Sequence, residues 1–305
     1  MKIAVIISTY NGQAYLREQL DSILNQESID VELFVRDDGS SDGTRDILES
    51  YKTSYTNCHI EYGENLGFRQ SFITELRIAE GFDYYAFSDQ DDFWEKEKLY
   101  AAYSMISKIE EDKNLPIVYY SNLNVSDEKL NIYKKTKLEN RHHSMESLII
   151  RRSIAGCTMV FNSAMWECLN RVEIKSDMLR RGHDSFILSL CYAVRGKVIC
   201  DSNAYIRYRQ HMNNTSGSSY CITQRIRKEW NALVNKKGAE PAIAKSILEN
   251  WAEMINDEDK KTLELVAENN DRLYCRMIIF FSLKFTSGDW KLTLLGKFRA
   301  IAGLL

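Results

Sequence analysis

Short β-branched and aromatic runs, each followed by a turn and then by apolar residues at helical spacing, organise the first third of the chain. Residues 2–7 form the first run, Thr9-Tyr10-Asn11-Gly12 turn the chain, and Tyr15, Leu16, Leu20, Ile23 and Leu24 then share one helical face. The unit repeats with a strand over residues 31–35, the turn Asp38-Gly39-Ser40-Ser41-Asp42-Gly43 and a helix through Ile47, Leu48 and Tyr51. A third strand near residues 59–62, a helix near 70–79 and a fourth strand at 84–87 follow. Strand, loop and helix in repetition predict an α/β fold, with a mostly parallel, Rossmann-like central sheet flanked by helices. The fourth strand leads into Asp89, and acidic residues just past a strand's carboxyl end lie where open α/β sheets bind ligands.

From about residue 115 to 215 the apolar runs are shorter (117–120, 157–161, 197–200), with helices near 163–171 and 183–194. Beyond about Tyr220 the strand signals stop, and residues 225–234, 242–255 and 260–268 carry helical patterns. The expected organisation is one domain over residues 1–218, with a ligand-binding half at 1–95 and a second half at 96–218, then a helical C-terminal extension over 219–305.

Charge changes the picture only locally. A net charge of −3 over 305 residues gives no excess of positive charge for general nucleic-acid binding, so no nucleic-acid partner is expected. Residues 272–305 differ: six Lys/Arg stand against the single acid Asp289, a net of +5. Trp290, Leu294, Phe298, Ile301 and Leu305 fall at helical spacing beside Lys291 and Lys297, the pattern of a basic amphipathic helix that either docks on a membrane surface or packs on its own domain with a solvated basic face. The first apolar run is too short for a signal peptide, and none approaches the ~20 residues that span a bilayer. The seven cysteines form no C-x-x-C pair. The expected location is therefore cytoplasmic, peripheral on the inner face of the membrane, with reduced thiols.

Asp89-Gln90-Asp91-Asp92 places three carboxylates within four residues. Two bare carboxylates ~4 Å apart repel by roughly 4 kcal/mol at an effective dielectric of 20, and a cation relieves that repulsion. Oxygen ligands suit Mn²⁺ or Mg²⁺, and Mg²⁺ prefers one or two protein carboxylates completed by substrate phosphates. After the second strand, Asp37 and Asp38 are placed to accept the N3–H of uracil or thymine, which would select a pyrimidine without separating uridine from thymidine.

Taken in order, Ile7-Ser8-Thr9-Tyr10-Asn11, Asp37-Asp38-Gly39-Ser40, Asn65-Leu66-Gly67 and the stretch from Ser88 to Trp94 resemble glycosyltransferase family 2, with its GT-A fold, over roughly residues 1–215. The resemblance implies that Ser8, Tyr10 and Asp38 hold base and ribose, that Asp89 and Asp91 serve ribose and metal diphosphate, and that Arg69 reaches the nucleotide. It also implies an acidic general base at the start of a later helix. Gly182-His183-Asp184-Ser185-Phe186 occupies that place, with Asp184 as the base and His183 where the family more often has Glu. The polar cluster over residues 208–217 is similar to the rhamnosyltransferase-like branch of the family, which implies Arg209 at the donor and His211 at metal or diphosphate.

The implied activity is an inverting, metal-assisted single displacement. It moves one sugar, L-rhamnose from dTDP-rhamnose or a hexose from a UDP-sugar, onto a saccharide or lipid-linked saccharide acceptor in cell-surface polysaccharide synthesis. Two other classes compete with it. A nucleotidyltransferase would want a Gly-rich basic loop to hold a triphosphate, whereas residues 8–14 have one glycine and no Lys or Arg. A non-catalytic scaffold docking through the basic tail would bind no nucleotide sugar in an Asp91-dependent way.

Overall fold

A computed structural model of the chain describes residues 1–150, 154–211 and 239–305. They divide into two compact units. The first takes residues 1–138, 154–174 and 197–210, and the second takes the rest. The units interleave along the chain, where the sequence suggests one cut at 218. That cut, the helix expected at 225–234 and residues 212–217 of the polar cluster lie outside the described residues.

The first unit is built on a nine-stranded sheet. In chain order the strands are β1 (Lys2–Thr9), β2 (Asp30–Asp37), β3 (Cys58–Tyr62), β4 (Tyr84–Ser88), β5 (Phe93–Trp94), β6 (Ile117–Ser126), β7 (Ile132–Lys135), β8 (Val160–Asn162) and β9 (Lys197–Arg209). They lie in the order β3-β2-β1-β4-β8-β6-β9-β5, with β7 paired to β6. The expected parallel arrangement holds for β3-β2-β1-β4. Beyond β4 the sheet is mixed: β8 runs antiparallel to both β4 and β6, β9 is parallel to β6, and β5 is antiparallel to β9. Helices α1 (Leu16–Leu24), α2 (Thr44–Ser54) and α3 (Phe68–Ile78) connect the parallel strands, as a parallel crossover requires. Helix α4 (Lys98–Ser107) follows β5.

Burial explains the strand runs. On one face of β1, Ile3, Val5 and Ile7 join a core with Leu16, Leu20 and Ile23 of α1 and Leu33 and Val35 of β2, while Ala4 and Ile6 on the other face are also fully buried. A strand covered on both faces reads as a continuous apolar run rather than an alternation, which is why residues 3–7 are apolar throughout.

In the second unit, α5 (Met145–Ile150), α7 (His183–Ala193), α8 (Ala239–Trp251), α9 (Asp257–Ala267), α10 (Leu273–Phe281) and α11 (Trp290–Ile301) pack on one another, whereas α6 (Ser163–Asn170) belongs to the first unit. The helices α8 and α9 answer the patterns at 242–255 and 260–268. Trp251 packs its ring 5.9 Å from Phe186, and buried Arg181 and Glu240 form an ion pair. Asn256 caps α9 and Asp289 caps α11, each accepting two backbone N–H groups. At Gly296 a Cβ would run into Ile150, so α11 approaches α5 closely. The expected apolar stripe needs one correction: Trp290, Leu294 and Phe298 are exposed, but Leu305 lies past the helix end and is fully buried. Among the described residues no helix is long and apolar enough to cross a membrane.

Candidate active site

The parallel register aligns three strand ends. Thr9 pairs with Asp37, Ser8 with Arg36 and Ile7 with Ser88, so the loops opening at Ser8, Asp38 and Asp89 leave the same edge of the sheet. The first two loops are tied together: the Asp38 N–H donates to the Thr9 carbonyl at 2.8 Å, the Asn11 N–H to Ser40 Oγ at 2.9 Å and the Gly12 N–H to Thr44 Oγ1 at 2.8 Å. Tyr10 stands out of this loop, 49% exposed, with its ring available to a flat ligand.

Asp38 joins the second loop to the one that precedes α3. Its Oδ1 accepts the Leu66 N–H and the Arg36 guanidinium, and its Oδ2 accepts the Gly67 N–H at 2.9 Å. Two motifs that look separate in sequence are thus joined on one buried carboxylate. Gly67, at φ +78°, takes a backbone shape that favours glycine. Arg36 also donates to the Glu64 carbonyl and to Ser71 Oγ, which accepts the Ser8 hydroxyl at 2.8 Å. Arg69, half-buried on the first turn of α3, has no hydrogen-bond partner for its Nε among the described residues.

Glu75, on the same helix, is fully buried, and among the described residues neither carboxylate oxygen has a hydrogen-bond partner. Burial, with the Glu61 charge added, pushes its carboxyl up to about 7. A carboxyl whose folded pKa lies above its unfolded value weakens the fold as pH rises through that interval and does so fully above pH 7. Glu75→Gln is therefore expected to stabilise the protein by roughly 2 kcal/mol at pH 8 and to change little at pH 4. Denaturant unfolding at the two pH values checks this, and an equal effect at both would contradict it.

Gln90 joins the acidic loop to the first one. Its Oε1 accepts the Thr9 hydroxyl at 2.6 Å and the Tyr10 N–H at 2.9 Å, and its Nε2 donates to the Tyr10 carbonyl at 3.2 Å. Gly12 lies so close that a Cβ there would collide with the Gln90 side chain. Losing this clamp removes several hydrogen bonds worth about 1 kcal/mol each, so Gln90→Ala is expected to raise the donor KM about tenfold with little change in kcat. Steady-state kinetics test it; a fall in kcat at constant KM would place Gln90 in the chemical step instead.

The three carboxylates occupy different environments. Asp89 and Asp91 are half-buried, whereas Asp92 is fully buried and accepts the Arg209 backbone N–H at 3.1 Å. Burial, then the charges of Asp89 and Asp91, push the Asp92 carboxyl well above its ordinary range. Burial likewise pushes the Cys157 thiol up and brings the Lys98 ammonium down to about 7, where it sits 3.5 Å from the Trp94 ring centroid. Ligand atoms of Asp89, Asp92 and Cys157 lie within 4.8 Å of one another. Cys157 offers a soft sulfur donor that does not suit a hard cation, and Asp92 already accepts the Arg209 N–H through Oδ1. The half-buried carboxylates of Asp89 and Asp91 offer oxygen donors that fit Mn²⁺ or Mg²⁺.

The position of Arg209 differs from the one expected. It is 2% exposed, and its guanidinium donates to the Asp91 and Glu128 carbonyls and to the Glu18 carboxylate, over the Tyr15 ring. Arg209 thereby ties the acidic loop to Glu18 of α1 and to the Glu128 carbonyl. Asp184 and His211 lie in the second unit. Asp184 is on the first turn of α7, accepts the Ser185 N–H at 2.7 Å, and has its carboxylate against Gly182, where a Cβ would collide with it. His211 is half-buried.

Residues 4–169 match the sequence profile described as glycosyl transferase family 2. The chain belongs to glycosyltransferase family 2. Among curated relatives of this family-2 chain, a dTDP-rhamnosyl transferase of Shigella flexneri, RfbG, is 25% identical over 235 residues, covering 73% of this chain and 77% of that protein. The abequosyltransferase RfbV of Salmonella typhimurium is 36% identical over 104 residues, 32% of this chain and 31% of that protein. Among solved structures, residues 1–349 of S. aureus TarS in complex with UDP superimpose with a TM-score of 0.58 at 17% identity, covering 100% of this chain and 89% of that one. The shared fold is GT-A, with a C-terminal helical stretch. The protein is a glycosyltransferase acting on a nucleotide sugar, and the nucleotidyltransferase and scaffold alternatives are set aside.

Membership in family 2 leaves several of this chain's own contacts unmarked in sequence. Arg36 carried a signal, since a charged residue in the otherwise apolar end of β2 needs a buried partner, and Asp38 two residues on supplies it. Gln90 and Lys98 carried none: their partners are set by loops 80 residues away and by burial, not by residue type or spacing.

Proposed function

We propose that this glycosyltransferase moves a single sugar from a pyrimidine nucleoside diphosphate donor, dTDP-rhamnose or a UDP-hexose, onto a saccharide hydroxyl with inversion at the anomeric carbon. The observation that carries the proposal is the convergence of Ser8, Asp38 and Asp89 at three adjacent parallel strand ends, with Asp91 and Asp92 crowded beside Asp89. The names of the relatives support a pyrimidine nucleotide donor: RfbG is a dTDP-rhamnosyl transferase, and the fold neighbour TarS is seen in complex with UDP.

In this proposal Tyr10 covers the base. Asp38 accepts its N3–H through Oδ2, which now takes only the Gly67 N–H and retains a lone pair. Ser8 contacts the nucleoside, Asp89 and Asp91 hold a divalent cation, and Arg69 reaches the diphosphate, with His211 a further candidate there. A bound Mn²⁺ or Mg²⁺ supplies charge compensation for the departing diphosphate. Asp184 takes the proton from the acceptor hydroxyl as its oxygen forms the new bond to the anomeric carbon and the old carbon–phosphate-oxygen bond breaks. Arg209 and Gln90 hold the acidic loop in place. The acceptor is assigned to cell-surface polysaccharide synthesis, and the enzyme to the cytoplasmic face of the membrane as a peripheral protein.

Calorimetric titration with UDP, dTDP and GDP in the presence of Mn²⁺ tests the donor assignment. The two pyrimidine nucleotides are expected to bind and GDP to bind at least about tenfold more weakly, because the larger purine has a different shape and presents its ring N–H at a different position. Equal binding of all three would overturn the role of Asp38.

A further inference from the structure

We propose that the outward face of the α10–α11 hairpin docks on an anionic lipid bilayer. This rests on the peripheral placement proposed above and names its surface. The two helices pack together with the rings of Phe280 and Phe298 5.9 Å apart. Each has an inner stripe at i, i+4 spacing that is buried in the second unit, Cys275 and Ile279 on α10 and Gly296 and Ala300 on α11. Each also has a second apolar stripe, and that one is exposed. Residues 273, 274, 277, 278 and 281 share a face of α10, and residues 290, 294, 295 and 298 share a face of α11. Leu283, between the helices, is 88% exposed, Trp290 72% and Phe281 69%. Half of the large apolar side chains exposed among the described residues fall within residues 273–298. A packed helix needs only one apolar stripe, so the second is unexplained by the fold of this unit.

Charge decides between occupants. Residues 272–305 carry +5; within the segment Arg272 pairs with Glu268 and Lys284 with Glu258. Arg276 and Lys297 donate to backbone carbonyls, contacts that leave their charge uncompensated among the described residues. Two copies of such a surface repel one another, whereas anionic headgroups complement it. Tryptophan and tyrosine beside cations are the side chains that settle at a bilayer interface. Helix α11 has 12 residues, about 18 Å, so it lies along a membrane rather than across one.

The full chain is sedimented with vesicles of phosphatidylglycerol and phosphatidylcholine, and with phosphatidylcholine alone. The wild type is expected to partition at least about tenfold more strongly onto the anionic vesicles, with the difference shrinking as salt is added. The triple variant Phe281→Ser/Leu283→Ser/Trp290→Ser, which alters only exposed side chains, is expected to lose at least about tenfold in vesicle binding while donor hydrolysis in solution stays at the wild-type rate. Three results overturn the proposal: wild type remaining in the supernatant with anionic vesicles, the triple variant binding them as tightly as wild type, or a wild-type dimer that the triple variant converts to monomer. Vesicle binding without any donor hydrolysis would instead overturn the proposed reaction and leave the docking surface standing.

Discussion

Replacement of Asp91 by alanine is expected to lower sugar transfer at least about a thousandfold, because charge compensation of a departing diphosphate by a cation contributes several kcal/mol in the transition state. Asp91 and Asp89 are the half-buried members of the acidic loop, whereas Asp92 is fully buried and drawn toward its neutral form. The loop is braced from below by the Arg209 guanidinium on the Asp91 carbonyl, a backbone contact that Asp91→Ala leaves intact. The variant should therefore fold with wild-type stability, bind Mn²⁺ poorly, and recover little activity as Mn²⁺ is raised. Parallel measurements of transfer rate, Mn²⁺ titration and unfolding midpoint check this. Activity within tenfold of wild type at equal Mn²⁺ would remove Asp91 from the site.

Asp184→Asn has the second largest expected effect. The substitution keeps the shape of the side chain and removes its capacity to accept a proton, so turnover should fall by about 10²–10⁴ while donor nucleotide binding, read by calorimetry, stays unchanged. The carboxylate sits against Gly182, whose φ of +134° and lack of a Cβ both favour glycine, and its Oδ1 accepts the Ser185 N–H. The asparagine amide oxygen can accept the same N–H, so folding should be preserved. Turnover of Asp184→Asn equal to wild type with acceptor present would assign the proton transfer to another group.

The parts of this protein legible in the sequence are those fixed by local pattern. Residues 3–7 read as a strand because both faces of β1 are covered, and Asp38 and Asp89 could be placed at strand ends because an apolar run stops just before each. The second half of the sheet resisted the same treatment. The strand β8 is three residues long and antiparallel to both neighbours, and too short for any periodicity to show. Arg209 was singled out for its polar setting, but its role depends on acceptors at positions 18, 91 and 128, brought to it only by the fold. Lys98 looks like a surface lysine at the start of a helix, yet it is buried against Trp94 near Asp92 and Cys157. Leu305 fits the helical spacing of the basic tail, but the helix ends at Ile301 and the last residues turn inward. In each case the missing information is long-range contact, which spacing along the chain does not encode.

The central claim is transfer from a pyrimidine nucleotide sugar at the carboxylates of Asp89 and Asp91. Its most direct test is a donor-hydrolysis screen of UDP-, dTDP- and GDP-sugars with the full chain, each with Mn²⁺ and with chelator. The account predicts release of nucleoside diphosphate from a uridine or thymidine donor that requires the metal and disappears in Asp91→Ala. Release from a guanosine donor alone, or release undiminished by chelator, would contradict it.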